Sequence, residues 1–81
     1  MKTILLIEDD RDLNTGLTYD LQMEKYKVFS GFTLAEGRGI LACETPDLIL
    51  LDGNLPDGDG FDFCRTVKSK HDIPVIFLTA R

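Results

Sequence analysis

Asp47-Leu48-Ile49-Leu50-Leu51-Asp52 is an unbroken apolar run with an acid at each end. A strand with one face in water alternates apolar and polar residues. A continuous apolar run fits a strand covered on both faces, the usual condition in a parallel sheet. Pro46 punctuates the chain before the run. Behind it, residues 53–60 carry Pro56, Gly58 and Gly60, the composition of a loop. The strand therefore ends abruptly, with Asp52 at its carboxyl tip.

Working outward, the flanking segments alternate in type. Residues 2–7 are β-branched and apolar, a second buried strand, and Glu8, Asp9 and Asp10 follow it directly. Residues 12–24 carry Leu13, Leu17 and Leu21 at four-residue spacing, one face of a helix. Residues 27–30 form a short strand. Residues 33–43 read as a helix, with Thr33 and Glu36 as a capping box and Leu34, Ile40 and Leu41 as its apolar face. Gly37 and Gly39 each weaken that helix by about 1 kcal/mol relative to Ala. Residues 61–70 form a further helix, with Phe61, Cys64 and Val67 on one face, and residues 74–78 a fourth strand. The order β-α-β-α-β-α-β predicts an α/β domain with a mostly parallel sheet and helices on both faces. Right-handed crossovers place the loops that follow each strand along one edge. Ligands of such sheets bind at that edge, near a switch in strand order.

The composition sets bounds. At 81 residues the chain holds one domain, near the size where a single core only just offsets chain entropy. With 43% hydrophobic and 28% charged residues it reads as a soluble globular domain. A net charge of −5 is unsuited to direct nucleic-acid binding and suits cations; the plainer reading of the same charge is solubility. No apolar run approaches the roughly 18 residues a membrane span needs, and Met1-Lys2-Thr3 opens no signal-peptide pattern. A cytoplasmic location is the expectation. Cys43 and Cys64 fall within apolar helical patterns and read as buried thiols in a reducing compartment. His71 reads as solvated, and Tyr19, Tyr26 and Phe32 as packing groups.

The acids carry the chemistry. Adjacent parallel strands lie about 4.8 Å apart. If the strands ending at Ile7 and Leu51 are neighbours, Asp9 and Asp52 can share one cation. Gathered carboxylates repel one another unless a cation offsets the cost. An all-oxygen ligand set points to magnesium or manganese rather than zinc. The competing reading makes Asp9 and Asp10 helix-starting acids, although Asp12 stands nearer the helical pattern. A carboxylate beside such a cation can attack a phosphoryl group and form an acyl phosphate. Thr79, ending the last strand on the same edge, can donate a hydrogen bond to a phosphoryl oxygen.

Three blocks together resemble the receiver domain of two-component response regulators: Ile4-Leu5-Leu6-Ile7-Glu8-Asp9-Asp10, the stretch from Asp47 through Asp52-Gly53-Asn54-Leu55-Pro56-Asp57-Gly58-Asp59-Gly60-Phe61, and Ile73-Pro74-Val75-Ile76-Phe77-Leu78-Thr79-Ala80. The resemblance spans the whole chain in order, and its central block is the most specific. It implies a flavodoxin-like (CheY-like) parallel sheet with strand order 2-1-3-4. It implies that Asp52 is the phosphoacceptor and that Glu8 and Asp9 are the acid pair, Asp9 the more direct Mg2+ (or Mn2+) ligand. Asn54 matches the residue whose backbone carbonyl completes the metal shell, Thr79 the switch hydroxyl, and Ala80 the small residue after it. The implied partner is a sensor histidine kinase. The implied output is control of transcription through a C-terminal DNA-binding domain of winged-helix type, which is not in this chain. The family's fifth strand, its lysine and two last helices have no counterpart, so residues 1–81 are expected to be the N-terminal part of a longer regulator. Two consequences are expected: a defective switch, and self-association through the exposed edge of the fourth strand.

Rival readings explain less. A magnesium-dependent phosphohydrolase with an aspartate nucleophile wants a second acid two residues on, where Asn54 stands. A phosphate-cradling glycine loop lacks a third Gly and a Lys-Ser/Thr pair. A truncated, non-switching interaction fragment remains the alternative within the same family.

Overall fold

The structure is a computed structural model and describes residues 1–78. Its elements are β1 (Thr3–Ile7), α1 (Arg11–Met23), β2 (Lys27–Gly31), α2 (Leu34–Cys43), β3 (Leu48–Leu51), β4 (Asn54–Leu55), β5 (Gly58–Asp59), α3 (Gly60–Lys70) and β6 (Val75–Phe77). The main sheet is parallel, in the order β2-β1-β3-β6. This is the expected order, with β6 as the fourth main strand. Ile7 stands opposite both Gly31 and Leu51, and Leu51 opposite Phe77, so four strand ends reach one edge together. The strand order reverses about β1, which puts the switch point between β1 and β3.

Alternation along the strands divides the apolar residues between two faces. Leu5, Ile7, Ile49 and Leu51 join Leu34, Leu55, Phe63, Val67 and Ile73 in the main core, under α2 and α3. Ile4 and Leu6 are also buried, on the opposite face, where the right-handed crossover places α1. Double coverage is complete at β1 and partial at β3: Ile49 and Leu51 are sealed, while Leu48 and Leu50 are half-buried. Ile76, opposite Leu50 in the register, is 52% exposed. Among the described residues α1 packs on β1 and β2 and leaves that side of β3 and β6 open.

Several expectations are corrected. Residues 53–60 hold a small antiparallel hairpin, Asn54 opposite Asp59 and Leu55 opposite Gly58. Gly58 has φ 155°, a backbone that side chains with a Cβ avoid. In α1, Leu13 is exposed and the buried residue is Asn14. In α3, the anchor is Phe63 rather than Phe61, which stacks on Phe77 at 4.3 Å between ring centroids. Cys43 is exposed and Cys64 half-buried, so neither is a sealed thiol. Tyr19 and Tyr26 are exposed rather than packed, and His71 is half-buried at the end of α3. Thr33 caps α2 by accepting from the Glu36 N–H, while Glu36 reaches back to the Phe32 N–H rather than that of Thr33. Gly37 costs helix propensity, but a Cβ there would lie 2.4 Å from Ile7 Cδ1. A Cβ there would have to displace the terminal methyl of the buried Ile7, so the close approach of α2 to β1 favours glycine.

Candidate functional site

The site is built from the backbone outward. The Asp52 N–H donates to the Ile7 carbonyl at 2.9 Å, and the Glu8 N–H to the Gly31 carbonyl at 3.0 Å. Each acid thus begins where the ladder of its strand ends. Glu8 is 3% exposed and Asp52 6%, while Asp9 lies in solvent. One carboxylate oxygen from each of Glu8, Asp9 and Asp52 lies within 4.8 Å of the others. These are the three acids expected from the sequence, and the parallel pairing of β1 with β3 is what joins them.

Local hydrogen bonds orient the group. The Asp10 N–H donates to Glu8 Oε2 at 3.1 Å, and the Asn54 N–H to Asp52 Oδ1 at 3.0 Å. Asp10 itself turns away, because its carboxylate accepts from the Leu13 N–H and caps α1. The capping role that suited Asp12 by position belongs to Asp10; Asp12 sits in the first turn, where the helix dipole favours it. Thr79 and Ala80 lie outside the described residues.

Burial pushes the Glu8 carboxyl up to about 7, from an ordinary value of 4.5. The Asp10 N–H works against this rise, while the charge of Asp52 and hydrogen bonding to Asp52 and Asp9 add to it. Three acids in a pocket that strips water from two of them therefore hold a proton near neutrality. A hard divalent cation is the other way to relieve the repulsion, and an all-carboxylate donor set fits Mg2+ or Mn2+.

The glycines of the neighbouring loop serve packing. A Cβ on Gly60 would lie 2.6 Å from the Asp52 carbonyl oxygen and 2.9 Å from Gly53 Cα. The first residue of α3 is thus pressed against the strand end that carries Asp52. Asp57, at the hairpin tip, accepts from the N–H groups of Leu34 and Ala35 at 2.9 and 3.0 Å. Those two bonds hold its carboxyl below the usual carboxylate range. This ties the loop after Asp52 to the start of α2, a link that sequence spacing did not indicate.

Asn14 was also missed. It is 1% exposed and its amide reaches the Glu8 and Gly31 carbonyls. The available signal was the pair Asn14 and Thr18, polar residues one helical turn apart, beside the leucine stripe.

The family model described as response regulator receiver domain matches residues 4–81. The chain belongs to that family. This receiver is 40% identical over its 81 residues to the transcriptional regulatory protein AfsQ1 of Streptomyces coelicolor, covering all of this chain and 36% of AfsQ1. Among solved structures, the non-phosphorylated receiver domain of HemR from Leptospira biflexa superposes with a TM-score of 0.91 at 40% identity, over 100% of this chain and 66% of that one. TrrA of Thermotoga maritima, solved with Mg2+ and BeF, gives 0.91 at 29% identity over 100% and 71%. TrrA has also been solved with the histidine kinase ThkA. The receiver chain thus spans about a third of the length of the curated relative, and about two thirds of the solved receivers.

Proposed function

We propose that Asp52 is a phosphoacceptor served by a divalent cation at Glu8, Asp9 and Asp52. The observation that carries this reading is the meeting of these three carboxylates at one strand edge. An Asp52 carboxylate oxygen attacks the phosphorus of a phosphohistidine on a sensor kinase. A P–O bond forms, the P–N bond breaks, and the imidazole leaves with the electron pair and takes up a proton. When bound, the magnesium ion screens the carboxylates from the phosphoryl oxygens. Glu8 and Asp9 supply the charge that holds it, and the Asn54 backbone carbonyl is assigned to complete its shell. The Asn54 N–H keeps Asp52 aimed. Thr79 is assigned the hydroxyl that reads the phosphoryl group.

The kinase partner is supported by the ThkA–TrrA complex, and a transcriptional output by the name of AfsQ1. The cation is supported by the magnesium bound with TrrA and by the donor set here. The output would lie in a C-terminal DNA-binding domain of winged-helix type. No described helix is long and apolar enough to cross a membrane. Self-association of the 81-residue chain is proposed through β6, whose only described pairing is with β3.

The test is labelling of the full-length protein with a small-molecule phosphodonor. Label that requires Mg2+, is released by hydroxylamine and disappears in Asp52→Asn is the expected result. Undiminished label in Asp52→Asn overturns the assignment.

A further inference from the structure

We propose that Asn14 is a positioning residue for the acidic site, holding the peptide from which Glu8 and Asp9 diverge. The inference rests on the cation-site reading above and assigns a residue to it outside the acids. Asn14 Nδ2 donates to the Glu8 carbonyl at 3.0 Å and to the Gly31 carbonyl at 3.2 Å. Its Oδ1 accepts from Ser30 Oγ at 2.9 Å and Thr18 Oγ1 at 3.3 Å, and those two hydroxyls lie 2.8 Å apart. The amide is therefore used at both ends. Oδ1 is fixed by α1 and β2, and that fixes which way Nδ2 faces.

A buried Asn inside a helix is a poor choice for stability alone. It competes with the helix for backbone hydrogen bonds, and its amide loses water. An apolar residue would spare that cost but leave the buried Glu8 carbonyl without its donor. What Asn14 adds is control of one peptide plane. The Glu8 N–H already donates to Gly31, and with the Glu8 carbonyl held by Asn14 the residue is fixed at both backbone ends. The planar Glu8–Asp9 peptide then sets the direction in which Asp9 leaves the strand. The Glu8 side chain is held in turn by the Asp10 N–H. Without Asn14 the turn between β1 and α1 can rotate about this peptide, and the three carboxylates no longer share one centre. Partners that orient ligands rather than bind the ion behave in this way in metal sites generally.

The experiment is Mn2+ and Mg2+ titration of the full-length protein, with urea unfolding of every variant alongside. Asn14→Ala is expected to weaken cation affinity about 10-fold, the usual scale for such partners. Val67→Ala, in the core under α3, serves as a variant that loses stability without touching the turn; its cation affinity is expected to stay at the wild-type value. Thr18→Val with Ser30→Ala leaves the Nδ2 donors but frees the amide to turn, and is expected to fall between. If Asn14→Ala does not fold, Asn14→Ser is read in the same way. Unchanged affinity in the Asn14 variant, or an equal loss in Val67→Ala, overturns the positioning role while the cation site stands. Wild-type affinity that Asp52→Asn leaves unaltered overturns the cation reading and the inference with it.

Discussion

Replacing Glu8 by Gln removes the group whose proton the fold retains, and the consequence can be worked out from the structure. Glu8 gives up its proton near 4.5 when unfolded and near 7 when folded, because burial and the neighbouring Asp52 oppose its charge. Between these values the folded state binds more protons than the unfolded one, so stability falls as pH rises. The contribution is complete below about 4.5 and is lost as pH passes through about 7. At about 1.4 kcal/mol per pH unit, the difference amounts to roughly 3 kcal/mol, against a total of about 5–15 kcal/mol for a typical domain. Asp57 acts in the opposite sense: its depressed carboxyl contributes stability that is lost only at lower pH, below this window. Urea unfolding at pH 5, 6, 7 and 8 in the presence of a chelator measures the effect. The wild type is expected to lose roughly 2.5 kcal/mol across the series, because part of the difference is already gone at pH 5, and Glu8→Gln to lose most of that slope. Saturating Mg2+ should restore the wild type at pH 8 by about 2.7 kcal/mol at a hundred times the dissociation constant, and Glu8→Gln by less. Parallel pH profiles for the two proteins would refute the reasoning, since the retained proton would then lie elsewhere.

Other expectations are local. Gly60→Ala brings a Cβ against the backbone of Asp52 and Gly53, where no flexible side chain can yield. It should cost about 1–3 kcal/mol in urea unfolding, and a cost near zero would mean α3 does not press on that strand end. Asp57→Ala removes both acceptors of the Leu34 and Ala35 amides. Hydrogen exchange at those two amides should quicken while exchange in β1 does not, and unchanged rates would mean that water or Thr33 caps α2 equally well. The 81-residue chain at tens of micromolar should associate through the β6 edge. Light scattering that shows a clean monomer would count against that.

Much of the site was legible because its residues stand at ends of apolar runs. Asp52 closes Leu48–Leu51, and Glu8 and Asp9 close Thr3–Ile7. A run that stops at an acid locates a strand end without reference to any other element. The helix faces were less legible. The spacing of Leu13, Leu17 and Leu21 marks a helix correctly, but periodicity carries no information on which neighbour covers it, and Leu13 stays in solvent. Phe61, Phe63 and Cys64 are all apolar, and only the packing of α3 on Ile7 and Leu51 selects Phe63 for the core.

The amino-acid sequence by itself determined the alternation of elements, the parallel sheet, and the acids at two strand ends. These follow from local hydrophobic pattern and turn chemistry, which each segment carries within itself. Tertiary structure alone decided that β1 lies beside β3 at a register that brings three carboxylate oxygens within 4.8 Å. It also decided the raised Glu8 carboxyl, the tie from Asp57 to α2, and the seating of Asn14 beneath the β1–α1 turn. Each depends on groups far apart in the chain, whose distances and loss of water exist only once the sheet has closed around them.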